Sequence, residues 1–252
     1  PHLYWYSMNG NLIKQVTSGN YEVKNFIGWN PDTNEFYYTS NEESPMRQAV
    51  YKIDRKGKKM KLSNQPGTNS PIFSSSMKYF MNKFTSLDTP ILITLNDNTG
   101  KVLKTLVTND KLKQKLAEYA IPQKEFFTFK TTEGVDLNGW MMKPVNFDPA
   151  KRYPVLMFQY SGPGSQQVLD KWGISWETYM ASLGYVVACV DGRGTGGRGS
   201  EFQKCTYLNL GVKEAKDQVE AAKYLGGLPY VDKGRIAVSY THLRAHETAA
   251  NL

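Results

Sequence analysis

Three turn glycines constrain this chain more than any other feature. Gly10, Gly57 and Gly100 each close a turn between strand-like runs, and they lie 47 and 43 residues apart. Leu3-Tyr4-Trp5-Tyr6 enters the first turn and Leu12-Ile13-Lys14-Gln15-Val16-Thr17 leaves it. Phe36-Tyr37-Tyr38-Thr39 and Val50-Tyr51-Lys52-Ile53 precede the second turn, and Met60-Lys61-Leu62-Ser63 follows it. Tyr79-Phe80-Met81 and Ile91-Leu92-Ile93-Thr94-Leu95 precede the third, and Val102-Leu103-Lys104-Thr105-Leu106 follows it. An aromatic strand, a strand, a glycine turn and a strand, repeated about every 40–50 residues, is the pattern of β-propeller blades. A plain β-sandwich would show the same turn spacing and stays open on spacing alone. Residues 1–120 are assigned to two to three blades of a partial propeller.

Beyond residue 120 the periodicity changes. Residues 108–122 read as a short helix and linker: Asp110 caps it, Leu112, Leu116 and Tyr119 share a face, and Pro122 ends it. Residues 126–130 and 137–143 pair around Glu133-Gly134. Two nearly continuous apolar runs follow, 153–160 and 185–190, which suit strands buried on both faces of a parallel sheet. Between them Ser175 caps a helix closed by Gly184, with Trp176, Tyr179, Met180 and Leu183 on one stripe. A second helix carries Val212, Ala215, Val219 and Ala222 on one stripe and ends at Gly226-Gly227. Both stripes are expected to face the core. A third strand begins at Arg235-Ile236. Strand, helix, strand, helix, strand is an α/β pattern, assigned to residues 121–237.

Composition excludes few function classes. Hydrophobic residues make up 40% and charged residues 21%, which is ordinary for a globular chain. No apolar stretch approaches the roughly 20 residues that span a bilayer. The net charge of +8 owes much to Lys52, Arg55, Lys56, Lys58, Lys59 and Lys61. A nucleic-acid patch is one reading of these; the preferred one is a solvated hairpin around Gly57, with no nucleic-acid partner. Cys189 lies in an apolar run and Cys205 in a loop-like stretch, without CxxC spacing. Two such cysteines build neither a disulfide framework nor a zinc site, and no metal or cofactor is expected.

Two glycine-rich segments follow strands. Asp191-Gly192-Arg193-Gly194-Thr195-Gly196-Gly197 nominally matches a dinucleotide fingerprint. That fingerprint must open a helix, whose N-terminus holds the pyrophosphate. Here about a dozen loop residues intervene, so a tight loop that exploits positive φ and close backbone approach is preferred. Tyr160-Ser161-Gly162-Pro163-Gly164-Ser165 sits at the carboxyl end of the other strand, where ligand sites of open α/β sheets lie. A tyrosine hydroxyl there can donate to a developing oxyanion, although a strand-end tyrosine can equally be structural. No serine has glycine at both −2 and +2, so there is no nucleophile elbow. The histidines are His2, His242 and His246, and no Ser-His-Asp triad can be assembled from them.

With these residues in view, the chain resembles the dipeptidyl peptidase IV group of the prolyl oligopeptidase family, in its Bacteroidetes form. The resemblance rests on Tyr160-Ser161-Gly162-Pro163-Gly164-Ser165-Gln166, Asp191-Gly192-Arg193-Gly194-Thr195-Gly196, the run 210–222, and Tyr230-Val231-Asp232-Lys233-Gly234-Arg235-Ile236-Ala237. It implies the last blades of a β-propeller followed by the N-terminal part of an α/β-hydrolase domain. It implies a serine peptidase that removes X-Pro or X-Ala dipeptides from peptide N-termini through an acyl-enzyme, without cofactor. Tyr160 matches the family's oxyanion-hole tyrosine. The resemblance also implies peptide substrates, a homodimer of the parent protein, and a periplasmic or cell-surface location. Acylaminoacyl and tripeptidyl peptidases of the same family stay open, as does a non-catalytic binding protein. Glu42 and Glu43 fall outside the family's amine-binding motif and read as an exposed loop.

After Arg235-Ile236 the family continues with Trp-Gly-Trp-Ser-Tyr-Gly-Gly, and this chain does not. From Val238 the strand pattern is expected to stop. Residues 238–252 resemble a translated sequencing-library adapter and are expected to be non-native. The triad then lies outside the chain, which is itself expected to be inactive.

Overall fold

The computed structural model describes residues 1–240. The chain divides into two units: Pro1–Gln114 with Leu169–Trp172 and Gly197–Ser200, and Lys115–Val168 with Gly173–Gly196 and the residues from Glu201 onward. Residues 241–252, most of the segment expected to be non-native, lie outside the described residues, and His242 and His246 with them.

In the first unit β1 (Tyr4–Tyr6) and β2 (Leu12–Gln15) form an antiparallel pair. Next come β3 (Val23–Asn30), β4 (Glu35–Ser40), β5 (Ala49–Asp54) and β6 (Lys59–Lys61), a four-stranded antiparallel meander. A second meander follows, built from β7 (Thr68–Phe73), β8 (Tyr79–Thr85), β9 (Leu92–Asp97) and β10 (Val102–Val107). Gly10, Gly57 and Gly100 close the hairpins at φ of +80°, +95° and +86°, a region that favours glycine. The middle sheet is buried on both faces. Tyr37 and Val50 pack with Phe73, Met77 and Phe80, toward the second meander. The alternate residues Tyr38, Ala49, Tyr51 and Ile53 pack with Leu3 and Val16, toward β1 and β2. A sandwich has two sheets with one inner face each. Three sheets stacked in chain order, the middle one covered twice, are propeller blades.

The basic cluster belongs to the β5–β6 hairpin. Lys52 pairs with Glu35 at 2.9 Å, and Lys59 and Lys61 pair with Glu42 and Glu43. The Arg55 guanidinium lies 4.2 Å from the centre of the Trp5 ring. Glu43 is exposed as expected, but Glu42 is not: it also accepts hydrogen bonds from the Tyr38 hydroxyl at 3.3 Å and from Ser40 Oγ at 3.2 Å. Asp170 is a buried acceptor of this unit, taking Arg47 Nε at 2.7 Å and the Leu87 N–H at 2.9 Å. The short helix α1 (Asp110–Leu116) follows β10 and buries no residue.

The second unit is a five-stranded sheet with helices. β11 (Lys124–Lys130) and β12 (Asp136–Met142) form a hairpin, followed by β13 (Tyr153–Gln159), α2 (Trp176–Ser182) and β14 (Val186–Asp191). Then come α3 (Ser200–Lys204), α4 (Val212–Gly226) and β15 (Val231–Tyr240). The strand order is β11-β12-β14-β13-β15. β13 runs parallel to both β14 and β15, and β12 runs antiparallel to β14. Every residue of β14 is buried, Cys189 included, as its unbroken apolar run requires. Val155, Met157, Val186, Ala188 and Leu137 meet Ala221 and Leu225 of α4 in the core.

Three expectations are corrected here. Apart from Ala222, which packs against the core, the apolar stripes of the two helices do not face it. α2 buries Glu177, Thr178 and Ala181 and leaves Trp176, Tyr179 and Leu183 exposed. α4 buries Glu214, Asp217, Gln218, Ala221 and Leu225 and exposes Val212 and Val219. Secondly, the stretch after Arg198 is not all loop, since α3 occupies part of it. Thirdly, the strand pattern does not stop at Val238. β15 continues to Tyr240, pairing Met157 with Val238, Phe158 with Ser239 and Gln159 with Tyr240. The backbone ladder of a parallel strand accepts any non-proline residue, so it carries through where the side-chain pattern fades.

Candidate active site

Tyr160 follows the last residue of β13, in the centre of the parallel part of the sheet. Its loop is held by short backbone and side-chain bonds. Ser165 Oγ lies 2.9 Å from the Tyr160 carbonyl and 2.6 Å from that of Gly162. A Cβ on Gly162 would lie 3.0 Å from Tyr160 Cε1, so the glycine leaves room for the ring. Among the described residues the Tyr160 hydroxyl has no hydrogen-bond partner. Ser161 Oγ donates to Gln159 Oε1 at 3.0 Å, and Gln218 Nε2 donates to the Val190 carbonyl at 2.9 Å.

The loop at the end of β14 is laced to the Tyr160 loop. The Gly164 N–H donates to the Gly194 carbonyl at 2.9 Å and the Gly196 N–H to the Ser165 carbonyl at 2.8 Å. A Cβ on Gly196 would sit 2.8 Å from the Gly164 carbonyl oxygen, so that approach needs glycine. Gly194 and Gly197 have φ of +96° and +89°. These glycines shape a loop; the long helix that follows, α4, starts only at Val212. Arg193 is not free to hold a phosphate. Its Nη2 and Nε meet Asp217 at 2.6 and 3.0 Å, its backbone N–H meets the same carboxylate at 2.7 Å, and its Nη1 meets Glu133 at 2.7 Å. Asp217 raises the Arg193 pKa further, and Arg193 and Lys216 hold the Glu133 carboxyl below its ordinary value.

Asp191 braces the other side of the Tyr160 loop. Its carboxylate accepts the Val168 N–H at 2.8 Å and the Gln167 N–H at 3.0 Å. Burial pushes its pKa up to about 6, against the two N–H donors, which favour the charged form. The folded pKa lies above the unfolded one, so the folded chain holds this proton more tightly. The resulting stability is present below about pH 4 and is lost as pH rises toward 6. Asp191→Asn is therefore expected to flatten the stability profile in that window, with a relative gain of about 3 kcal/mol above pH 6. Thermal midpoints of both proteins across pH 4–8 check this; two parallel curves would refute it.

Of the residues singled out from sequence, Tyr160 and the Asp191–Gly196 part of the glycine loop meet in this unit. His2 lies in the other unit, where its Nε2 is 3.0 Å from the Gly19 carbonyl and its ring packs edge-on against Tyr21. Asp217, Glu214 and Gln218 were missed. Their signal was present: acidic and amide residues spaced three and one apart on a helix that follows a glycine loop.

Known proteins agree with this geometry. Residues 1–91 match the dipeptidyl peptidase IV N-terminal region, and residues 172–239 match the prolyl oligopeptidase family. The chain superposes on the crystal structure of Porphyromonas gingivalis dipeptidyl peptidase 4 with a TM-score of 0.92 and 49% identity, covering 95% of this chain and 34% of that one. It is 34% identical to dipeptidyl peptidase 4 of Trichophyton rubrum over 246 residues, 94% of this chain and 32% of that protein. A probable dipeptidyl-aminopeptidase B of Trichophyton verrucosum is 37% identical over 93% of this chain and 27% of its own length. The chain thus spans roughly a quarter to a third of the relatives it matches. Propeller blades followed by a mixed α/β sheet with its loops at the carboxyl ends of β13 and β14 define a propeller-bearing α/β-hydrolase. Both matched segments and the superposed structure make the chain similar to the dipeptidyl peptidase IV group of the prolyl oligopeptidase family.

Proposed function

We propose that this chain is the propeller-to-hydrolase portion of a serine dipeptidyl peptidase that removes X-Pro or X-Ala dipeptides from peptide N-termini. The observation that carries the reading is Tyr160: a hydroxyl without a partner among the described residues, at the end of a central parallel strand, on a loop fixed by Ser165, Asp191 and the Gly194–Gly164 bond. Tyr160 donates to the oxyanion of the tetrahedral intermediate. A serine from outside this sequence attacks the peptide carbonyl, with a histidine as base and then acid. The parent acts as a homodimer in the periplasm or at the cell surface. Among the described residues no helix is long and apolar enough to cross a membrane.

A chimera tests the proposal. Residues 1–237 replace the matching segment of the P. gingivalis peptidase, and Gly-Pro anilide hydrolysis is measured. Cleavage is expected. A folded chimera that leaves the anilide intact would refute the reading and favour a non-catalytic role.

A further inference from the structure

The parallel ladder between β13 and β14 stops early. Its pairs run from Val155 with Val186 to Met157 with Ala188, two residues short of Gln159, the last residue of β13. The gap lies directly before Tyr160, and Gln218 of α4 spans it. Its Nε2 donates to the Val190 carbonyl at 2.9 Å and to Ser161 Oγ at 3.4 Å. Ser161 Oγ in turn donates to Gln159 Oε1 at 3.0 Å. One amide nitrogen thus ties β14 to the residues on either side of Tyr160.

The orientation of this amide is fixed. The Val190 carbonyl only accepts, so Gln218 cannot be flipped and its nitrogen faces the two strand ends. The residue is buried, and its Oε1 has no hydrogen-bond partner among the described residues. Such an orphaned acceptor lowers stability. Ala221 and Leu225 continue the same face of α4 three and seven residues on, and both are apolar core residues. A methionine at position 218 would extend that face without an orphan. Packing therefore does not explain the amide; its two donor hydrogens do. Gln159 and Ser161 turn toward α4, and the alternation of an extended chain sends the Tyr160 ring the other way. The ring stands by Gly162, whose added Cβ would lie 3.0 Å from Tyr160 Cε1 and 3.3 Å from its hydroxyl oxygen.

We propose that Gln218 is a positioning residue for the Tyr160 hydroxyl: it clamps the end of β13 to the end of β14 and so sets where that donor stands. The inference rests on the oxyanion role proposed for Tyr160. Gln218 acts through Ser161 and Gln159, on the backbone either side of the ring, and not on the ring itself. Ser165 Oγ holds the Tyr160 carbonyl within its own loop; Gln218 holds that loop to the neighbouring strand. An oxyanion donor works at about 2.7–3.1 Å from the place the oxyanion will take. A misplacement of about 1 Å costs about 10²-fold in rate. A loosened clamp therefore weakens transition-state binding and leaves ground-state binding alone.

The test is a double-mutant cycle in the chimera, with Gly-Pro anilide as substrate. Gln218→Met keeps the bulk of the side chain and removes the donor. It is expected to lower kcat about tenfold and to leave KM nearly unchanged. In the Tyr160→Phe background it is expected to cost no more than about twofold, since no hydroxyl is left to misplace. A merely structural glutamine would cost the same factor in both backgrounds. Ser161→Ala cuts the same link from the half-buried loop, and it decides the matter where the methionine variant does not fold: kcat falls several-fold, again only with the hydroxyl present. In the whole chain, amide exchange at Ser161 and Gly162 is expected to quicken about tenfold in Gln218→Met. Unchanged exchange, equal losses in both backgrounds or full activity in Gln218→Met each overturn the clamp and leave the oxyanion reading standing. A folded wild-type chimera that cleaves nothing overturns both.

Discussion

Asp217→Ala is expected to destabilise the α/β unit by about 3–5 kcal/mol, the loss that follows when one partner of a buried ion pair is removed. The Asp217 side chain is fully buried, and that of Arg193 is only 11% exposed. The carboxylate serves three donors of one residue: the Arg193 backbone N–H at 2.7 Å, Nε at 3.0 Å and Nη2 at 2.6 Å. Alanine would strand all three in a loop with little access to water. Glu133 would keep one end of the guanidinium at 2.7 Å, but it is 40% exposed and screened, so it offsets little. Asp217→Asn should lose less, because one amide oxygen still accepts while the NH₂ faces the guanidinium. Urea unfolding of the α/β unit, followed through its own transition, measures the difference. A loss under about 1 kcal/mol would show that the glycine loop, and not the Arg193–Asp217 pair, fixes this end of the sheet.

That pair also shows where sequence reading of this chain fails. The blade pattern was legible because turn glycines and aromatic inner strands have local signatures. β3 and β7 escaped it. Both are edge strands, paired on one side only, and β7 carries Pro71, which an edge tolerates. The buried runs of β13 and β14 were legible for the opposite reason, being apolar on both faces. The helix faces were misread because hydrophobicity was taken to mark the buried side. In α4 the buried side is chosen by loops that need acceptors: Glu214 takes the Gly211 N–H at 3.0 Å, and Asp217 takes Arg193. Gln218 adds a donor for the Val190 carbonyl. The demands of Arg193 and Val190 come from more than twenty positions away, and no helical period contains them. Val238 was misplaced for a related reason. Its pairing with Met157 is set by the backbone of β13, and it is exposed, so side-chain pattern says nothing of it. The place of Tyr160 at a strand end was legible because it follows an apolar run.

Tyr160→Phe in the chimera is expected to lower kcat for Gly-Pro anilide by about 10²–10³-fold, with KM nearly unchanged. The substitution removes one hydroxyl and keeps the ring. The ring's place depends on the space left by Gly162, whose added Cβ would lie 3.0 Å from Cε1, and phenylalanine occupies the same space. The backbone beneath it is tied through the Tyr160 carbonyl to Ser165 Oγ at 2.9 Å, a bond indifferent to the side chain. Structure is therefore conserved, and the hydroxyl bonds nothing else among the described residues. In the proposed role, what is lost is a donor aimed at charge that exists only in the transition state, so kcat is expected to fall and ground-state binding is not. A structural tyrosine would behave differently: the variant would shift the unfolding midpoint and leave kcat within a few-fold. Gly162→Ala separates the two further. It keeps the hydroxyl but crowds the ring, so a fall in kcat there, without a change in KM, would show that the position of the Tyr160 oxygen matters and not only its presence.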